Sequence, residues 1–102
     1  MTRPSLLTEE ELNTALARLV GHWGREGDEL TATFAFPTYD LSVAFVNGVA
    51  AIAQDLDHHP VLTLSYGTVR VAVTTHDAGG LTSLDVQLAE RSSALYASSK
   101  LS

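Results

Sequence analysis

The chain has 102 residues, of which 45% are hydrophobic and 18% charged, with no cysteine and a formal net charge of −6. This length favours a single domain over residues 1–102, ordered from about 8 to 96, and the composition is globular rather than disordered. The missing cysteine excludes disulfides, thiolate catalysis and cysteine–zinc sites, and without a Lys/Arg cluster the acidic balance argues against direct nucleic-acid binding.

A small, neutral or weakly charged ligand suits this surface better. Residues Met1 to Ser5 contain one basic side chain and no apolar run of signal length. The most apolar stretch, near 41–53, is interrupted by Ser42, Asn47 and Gly48 and is too short to cross a bilayer, so no membrane association and a cytoplasmic location are expected.

In chain order, Thr8-Glu9-Glu10-Glu11 fits a capping box: the Thr8 oxygen accepts from the amide three residues on, and Glu11 reaches back. Leu12, Ala15, Leu16 and Leu19 follow at helical spacing before Gly21, which predicts a helix from about Thr8 to Val20. Trp23 to Phe36 reads as a hairpin turning near Gly27-Asp28, with Leu30, Ala32, Phe34 and Phe36 on one face. After Pro37 a long helix begins near Thr38 to Asp40. Leu41, Phe45, Gly48 and Ile52 line one side of it, widened by Ala44, Val49 and Ala53. Gly48 costs this helix about 1 kcal/mol, which either serves a close helix–sheet approach or is simply tolerated. Pro60 requires the helix to stop by about Asp57 or His58.

Residues 61–66 and 69–75 form a second predicted hairpin around Gly67-Thr68, with Val69, Val71 and Val73 on one face. Extended further, that strand carries His76 on the opposite face, with Arg70, Ala72 and Thr74. Gly79-Gly80 reads as a flexible hinge into a last helix capped by Thr82 and Asp85. Leu84, Leu88 and Leu95 give this helix a thin apolar stripe, and its Ser-rich end after Tyr96 is expected to fray. The order α-β-β-α-β-β-α predicts an α+β fold, a four-stranded antiparallel sheet with helices packed on one face.

His58 and His59 close the long helix and His76 closes the fourth strand, positions from which side chains can converge on a cleft. Imidazole titrates near neutrality, so such a cluster can both donate and accept protons. The residues alone also admit a structural reading: His59-Pro60 as a helix stop, His58 against the helix dipole and His76-Asp77 as a turn pair. A metal site is disfavoured because adjacent histidines diverge and the paired i, i+4 spacing is absent. No Gly-x-Ser-x-Gly elbow supports a serine nucleophile. Asp85 is first a capping acid, Trp23 a core or rim aromatic, and Tyr66 either a packing or a ligand-contacting residue.

Asp57-His58-His59-Pro60, Tyr66, Thr75-His76-Asp77, Gly80-Leu81-Thr82 and Asp85 together resemble the pterin-4a-carbinolamine dehydratase signature. Five residues separate Pro60 from Tyr66, nine lead on to His76 and eight more to Asp85, as in that family. Gly21 to Trp23, Phe36 and Ala44-Phe45 extend the resemblance over about residues 8–95. It implies a cofactor-free, metal-free lyase that dehydrates 4a-hydroxytetrahydropterin to quinonoid dihydropterin, serving a pterin-dependent aromatic amino acid hydroxylase, and a homodimer or homotetramer. By resemblance His58, His59 and His76 are catalytic, with His59 the candidate acid. Asp57, Pro60, Tyr66, Asp85 and Gln54 are then substrate-binding or supporting residues.

The chain departs from the family pattern at two places. Gln54 stands where an ionisable residue is usual, and Val61-Leu62 stand where many members have tryptophan. Gln54 lies four residues before His58, so the two share a face if the helix holds to its end. A non-catalytic role on the same fold, as a dimerisation cofactor, an assembly factor or a pterin sensor, is the competing expectation.

Overall fold

The computed structural model describes residues 4–19 and 21–99. Helix α1 (Glu9–Arg18) is followed by β1 (Trp23–Glu26), β2 (Glu29–Ala35), α2 (Tyr39–Leu56), β3 (Val61–Leu64), β4 (Thr68–Val73), a 3₁₀ turn (His76–Ala78) and α3 (Ser83–Ser98). The strands form one antiparallel sheet in the order β1-β2-β4-β3, the predicted α+β architecture. Among the described residues no helix is long and apolar enough to cross a membrane.

Alternation along the two central strands decides which face the helices cover. Leu30, Ala32 and Phe34 of β2 and Val69, Val71 and Val73 of β4 are buried on one side, in one core with Leu12, Phe45, Val49 and Leu88 from the helices. Phe34 sits at its centre, with the rings of Phe45 and Tyr96 each 4.9 Å away. Truncating such a ring to alanine typically costs about 3–5 kcal/mol. Tyr96 also donates its hydroxyl to the Ala35 carbonyl at 2.8 Å, which ties the end of α3 to β2.

Helix α1 begins as read. The Thr8 oxygen accepts from the Glu11 amide at 3.1 Å, and the Glu11 carboxylate accepts from the Thr8 amide at 2.8 Å. The predicted end at Val20 lies outside the described residues; the last helical residue is Arg18, and the Leu19 amide closes the turn onto Ala15 and Leu16. Arg25 then joins β1 to α1 through both Glu9 oxygens, at 2.8 and 3.0 Å. That hydrogen bond, with the charge behind it, holds the exposed Glu9 carboxyl below its ordinary range.

Four expectations need correction. The buried stripe of α2 is Ser42, Phe45, Val49 and Ala53, while Leu41 and Ile52 flank it half-buried and Ala44 faces solvent. Gly48 serves helix–helix rather than helix–sheet contact, since a Cβ there would lie 2.5 Å from Leu95 Cδ2 of α3. Helix α3 buries Asp85, Val86, Leu88, Ala89, Ser92 and Tyr96, because its small residues allow close approach; Leu84 and Leu95 are only half-buried. It also stays helical to Ser98, where serine hydroxyls donate back to the Leu95 and Tyr96 carbonyls.

In an open helix, Gly48→Ala would add about 1 kcal/mol of stability. Here Leu95 must move aside, so we expect clearly less than that gain by urea denaturation. A full gain would mean that Leu95 does not fill the space over Gly48.

Candidate active site

Pro60 cannot follow helical backbone comfortably, and α2 ends at Leu56, four residues before it. Asp57 takes a left-handed conformation (φ 50°, ψ 47°), and the His58 amide bonds back to the Ala53 carbonyl at 3.0 Å. This reversal turns the adjacent histidines apart. His58 points inward, its side chain only 10% exposed, while His59 lies on the surface.

His58 Nε2 donates to Asp85 Oδ1 at 2.7 Å. The Asp85 side chain is fully buried, and its other oxygen accepts from the Thr82 amide at 2.8 Å and the Thr75 hydroxyl at 2.7 Å. An ionised carboxylate is acceptor-only, and all three contacts use it that way. Thr82 completes the network, its hydroxyl 2.8 Å from that of Thr75. Asp85 is therefore both the expected helix cap and the anchor of His58.

The structure separates Gln54 from His58 and joins it to His59 instead. With helical geometry lost at Asp57, the i, i+4 relation fails, and His59 Nε2 donates to Gln54 Oε1 at 2.8 Å. Both imidazoles thus spend Nε2 on a protein acceptor and keep Nδ1 for a ligand. His76 is corrected too. Strand β4 ends at Val73, and His76 opens the 3₁₀ turn instead of continuing the strand face. Gly79-Gly80 is a pinned return rather than a hinge. Gly79 is left-handed (φ 79°), and the Gly79 and Gly80 amides both bond to the Thr75 carbonyl while the Thr75 amide bonds to Gly80.

These turns enclose a cleft of about 230 Å³, with Asp57, His58 and His59 on one wall and Thr74, Thr75, His76 and Asp77 on the other. Larger grooves of about 430, 500 and 330 Å³ carry no imidazole, His22 and His76 respectively, so the meeting of three imidazoles rather than volume selects the site. Of the remaining sequence candidates, Pro60 leads from the cleft into β3. Tyr66 does not reach the cleft in this chain: it sits in the β3–β4 turn at the opposite end of the strand, 75% exposed. Among the described residues no three His, Asp or Glu side chains are gathered to hold a metal ion. Thr75 and Thr82, which complete the buried network, were not singled out as site residues by sequence. Their signals were the cap position of Thr82 and the place of both in the segments that carry the family resemblance.

Replacing Asp85 by asparagine preserves shape but puts a donor group where an acceptor is needed. Hydrogen bonds to charged groups contribute about 1.5–3 kcal/mol, so Asp85→Asn should lose about 2 kcal/mol in urea denaturation. Unchanged stability would show that the buried network contributes nothing to the fold.

The family model described as pterin 4 alpha carbinolamine dehydratase matches residues 5–95. A relative from Natronomonas pharaonis named "Putative pterin-4-alpha-carbinolamine dehydratase" is 42% identical over 85 residues, 83% of this chain and 89% of its own. A relative of the same name from Haloarcula marismortui is 41% identical over 91 residues, 89% of this chain and 96% of its own. The crystal structure of a "transcriptional coactivator/pterin dehydratase" from Brucella melitensis has a TM-score of 0.83 at 35% identity, covering 88% of this chain and 97% of that one. A pterin dehydratase-like protein identified as a RuBisCO assembly factor in the α-carboxysome shares the fold, with a TM-score of 0.64 at 23% identity over 76% of this chain and 93% of its own. The chain belongs to the pterin-4-alpha-carbinolamine dehydratase family.

Proposed function

We propose that the protein dehydrates 4a-hydroxytetrahydropterin to quinonoid dihydropterin, recycling the product of a pterin-dependent aromatic amino acid hydroxylase. The observation that carries this reading is the meeting of His58, His59 and His76 at one cleft, with His58 held by a buried carboxylate. The C4a hydroxyl leaves readily only when protonated. An imidazolium gives it a proton, the C4a–O bond breaks and water departs. A neutral imidazole accepts the ring-nitrogen proton, and each transfer is typically worth about 10²–10⁴-fold.

Roles follow from the partners. Asp85 fixes the His58 ring, while His59 and His76 lie exposed where a heterocycle enters. A scaffold acting only by surface contact has no use for three imidazoles gathered at one cleft, two of them exposed, which favours the enzyme over an assembly role.

His59→Ala and His76→Ala remove exposed rings and leave no core cavity, so both variants should keep wild-type melting temperatures. Turnover on freshly generated 4a-hydroxytetrahydropterin, assayed with a chelator present, should fall by about tenfold or more for each. Turnover within twofold of wild type for both would defeat the histidine mechanism.

Gln54→Glu would set a carboxylate against His59 Nε2 in place of an amide oxygen. The negative charge stabilises the imidazolium, so the acid form persists to higher pH. The falling, high-pH limb of the pH–rate profile should therefore move upward. A stationary limb would show that His59 is not the proton donor.

A further inference from the structure

The histidine cleft is small for a substituted bicyclic ligand. Its volume of about 230 Å³ lies below the roughly 300–1,000 Å³ of small-molecule sites. Beyond His76 lies a second space of about 330 Å³, lined by Asp28, Glu29, Thr74, His76, Gly79 and Gly80. Thr74 and His76 line both spaces, so the two adjoin along that pair and together reach ordinary site size.

Three short segments build the second space. The β1–β2 turn and the first residue of β2 supply Asp28 and Glu29, and the Thr74 hydroxyl donates to the Asp28 carbonyl. Gly79 and Gly80 bring no side chain, which keeps the opposite wall open. Asp28 Oδ1 lies 3.7 Å from where a Cβ on Gly80 would stand, so its carboxylate faces that wall. Arg25 of the same hairpin is held by Glu9 at 2.8 and 3.0 Å. Among the described residues no ion pair involves Asp28 or Glu29. The described lining of the two spaces holds Asp28, Glu29, Asp57 and Asp77 and no lysine or arginine.

In the proposed reaction C4a loses its hydroxyl beside the histidines. C6 is two bonds from C4a through N5, so any substituent on C6 starts next to the same imidazoles. It leaves the cleft past His76, the one of the three that also lines the second space. Hydroxyl groups there can donate to the carboxylates, whereas an anionic group meets like charge with no cation to offset it. Specificity of this kind rests on repelling the wrong ligand as much as on attracting the right one.

We infer that Asp28 and Glu29 are specificity-determining residues: they select pterins whose C6 substituent is uncharged and donates hydrogen bonds, and they reject substituents ending in a carboxylate or phosphate. The inference rests on the dehydratase reading for the ring and its orientation, and on the adjoining space for the selection.

Two freshly generated 4a-hydroxytetrahydropterins test it, one with a hydroxylated C6 chain and one of equal length ending in a carboxylate. The wild type should favour the first in kcat/KM, and Asp28→Asn/Glu29→Gln should narrow that preference about tenfold, the scale of one screened charge contact. Raising ionic strength should narrow it in the wild type too, because exposed charges are screened. Glu10→Gln/Glu90→Gln removes two charges from the α1–α3 groove instead and should leave the preference as it was. A wild type without the preference, a preference that survives Asp28→Asn/Glu29→Gln, or an equal loss in the control variant overturns the inference. Should Asp28→Asn/Glu29→Gln not fold, the wild type decides: a preference indifferent to salt overturns it.

If the wild type dehydrates neither substrate, the dehydratase reading fails and calorimetry with the oxidised, unreactive forms of the same two pterins takes over. The hydroxylated form should bind about tenfold more tightly, and the gap should close in Asp28→Asn/Glu29→Gln. Equal affinities, binding of neither, or a gap that the variant keeps overturns the inference independently of activity.

Discussion

The contact between the Asp85 carboxylate and the His58 imidazole fixes where three parts of the chain meet. Asp85 starts the last helix, Thr75 lies just past the fourth strand, and His58 follows the reversal after the long helix. Burying an anion is costly unless its lone pairs are satisfied, and here three donors from those three segments satisfy them. Removing any one donor leaves part of the charge unpaired. The helix cap, the strand end and the histidine are thus parts of one electrostatic arrangement, and the cleft is its outer surface.

Features governed by neighbours in sequence were readable before the structure. The Thr8–Glu11 box, the Gly27-Asp28 turn, and the alternation in Leu30–Phe34 and Val69–Val73 depend on local backbone chemistry, as does the stop imposed by Pro60. The second turn instead falls earlier than read, between Leu64 and Thr68. What stayed hidden depends on contacts across the fold. Gly48 meets Leu95, 47 residues later in the same numbering, and no local pattern announces that approach. The buried face of α3 combines an aspartate, a serine and small residues that a hydrophobic count passes over.

The site divides along the same line. His58, His59, His76 and Asp85 were candidates from the sequence, and short turns bring the three histidines to one cleft. Gln54 was assigned to the wrong histidine because a single left-handed residue, Asp57, shifts the register by more than helical geometry allows. His76 was assigned to a strand because Thr74 and Thr75 are good strand formers; the Thr75–Gly80 bridge instead folds the chain into a tight turn. Thr75 and Thr82 drew little notice, since an ordinary hydroxyl becomes informative only once its buried acceptor is known.

The double duty of Asp85 has an evolutionary consequence. Selection on folding alone is enough to retain it, because the last helix uses it as a cap whether or not any reaction takes place. His59 and His76 have no such protection, being exposed and outside the core. A lineage of this fold released from catalysis would therefore lose its surface histidines first and keep the buried aspartate long afterwards. In such descendants Asp85 would record ancestry, and the surface rings would record present use.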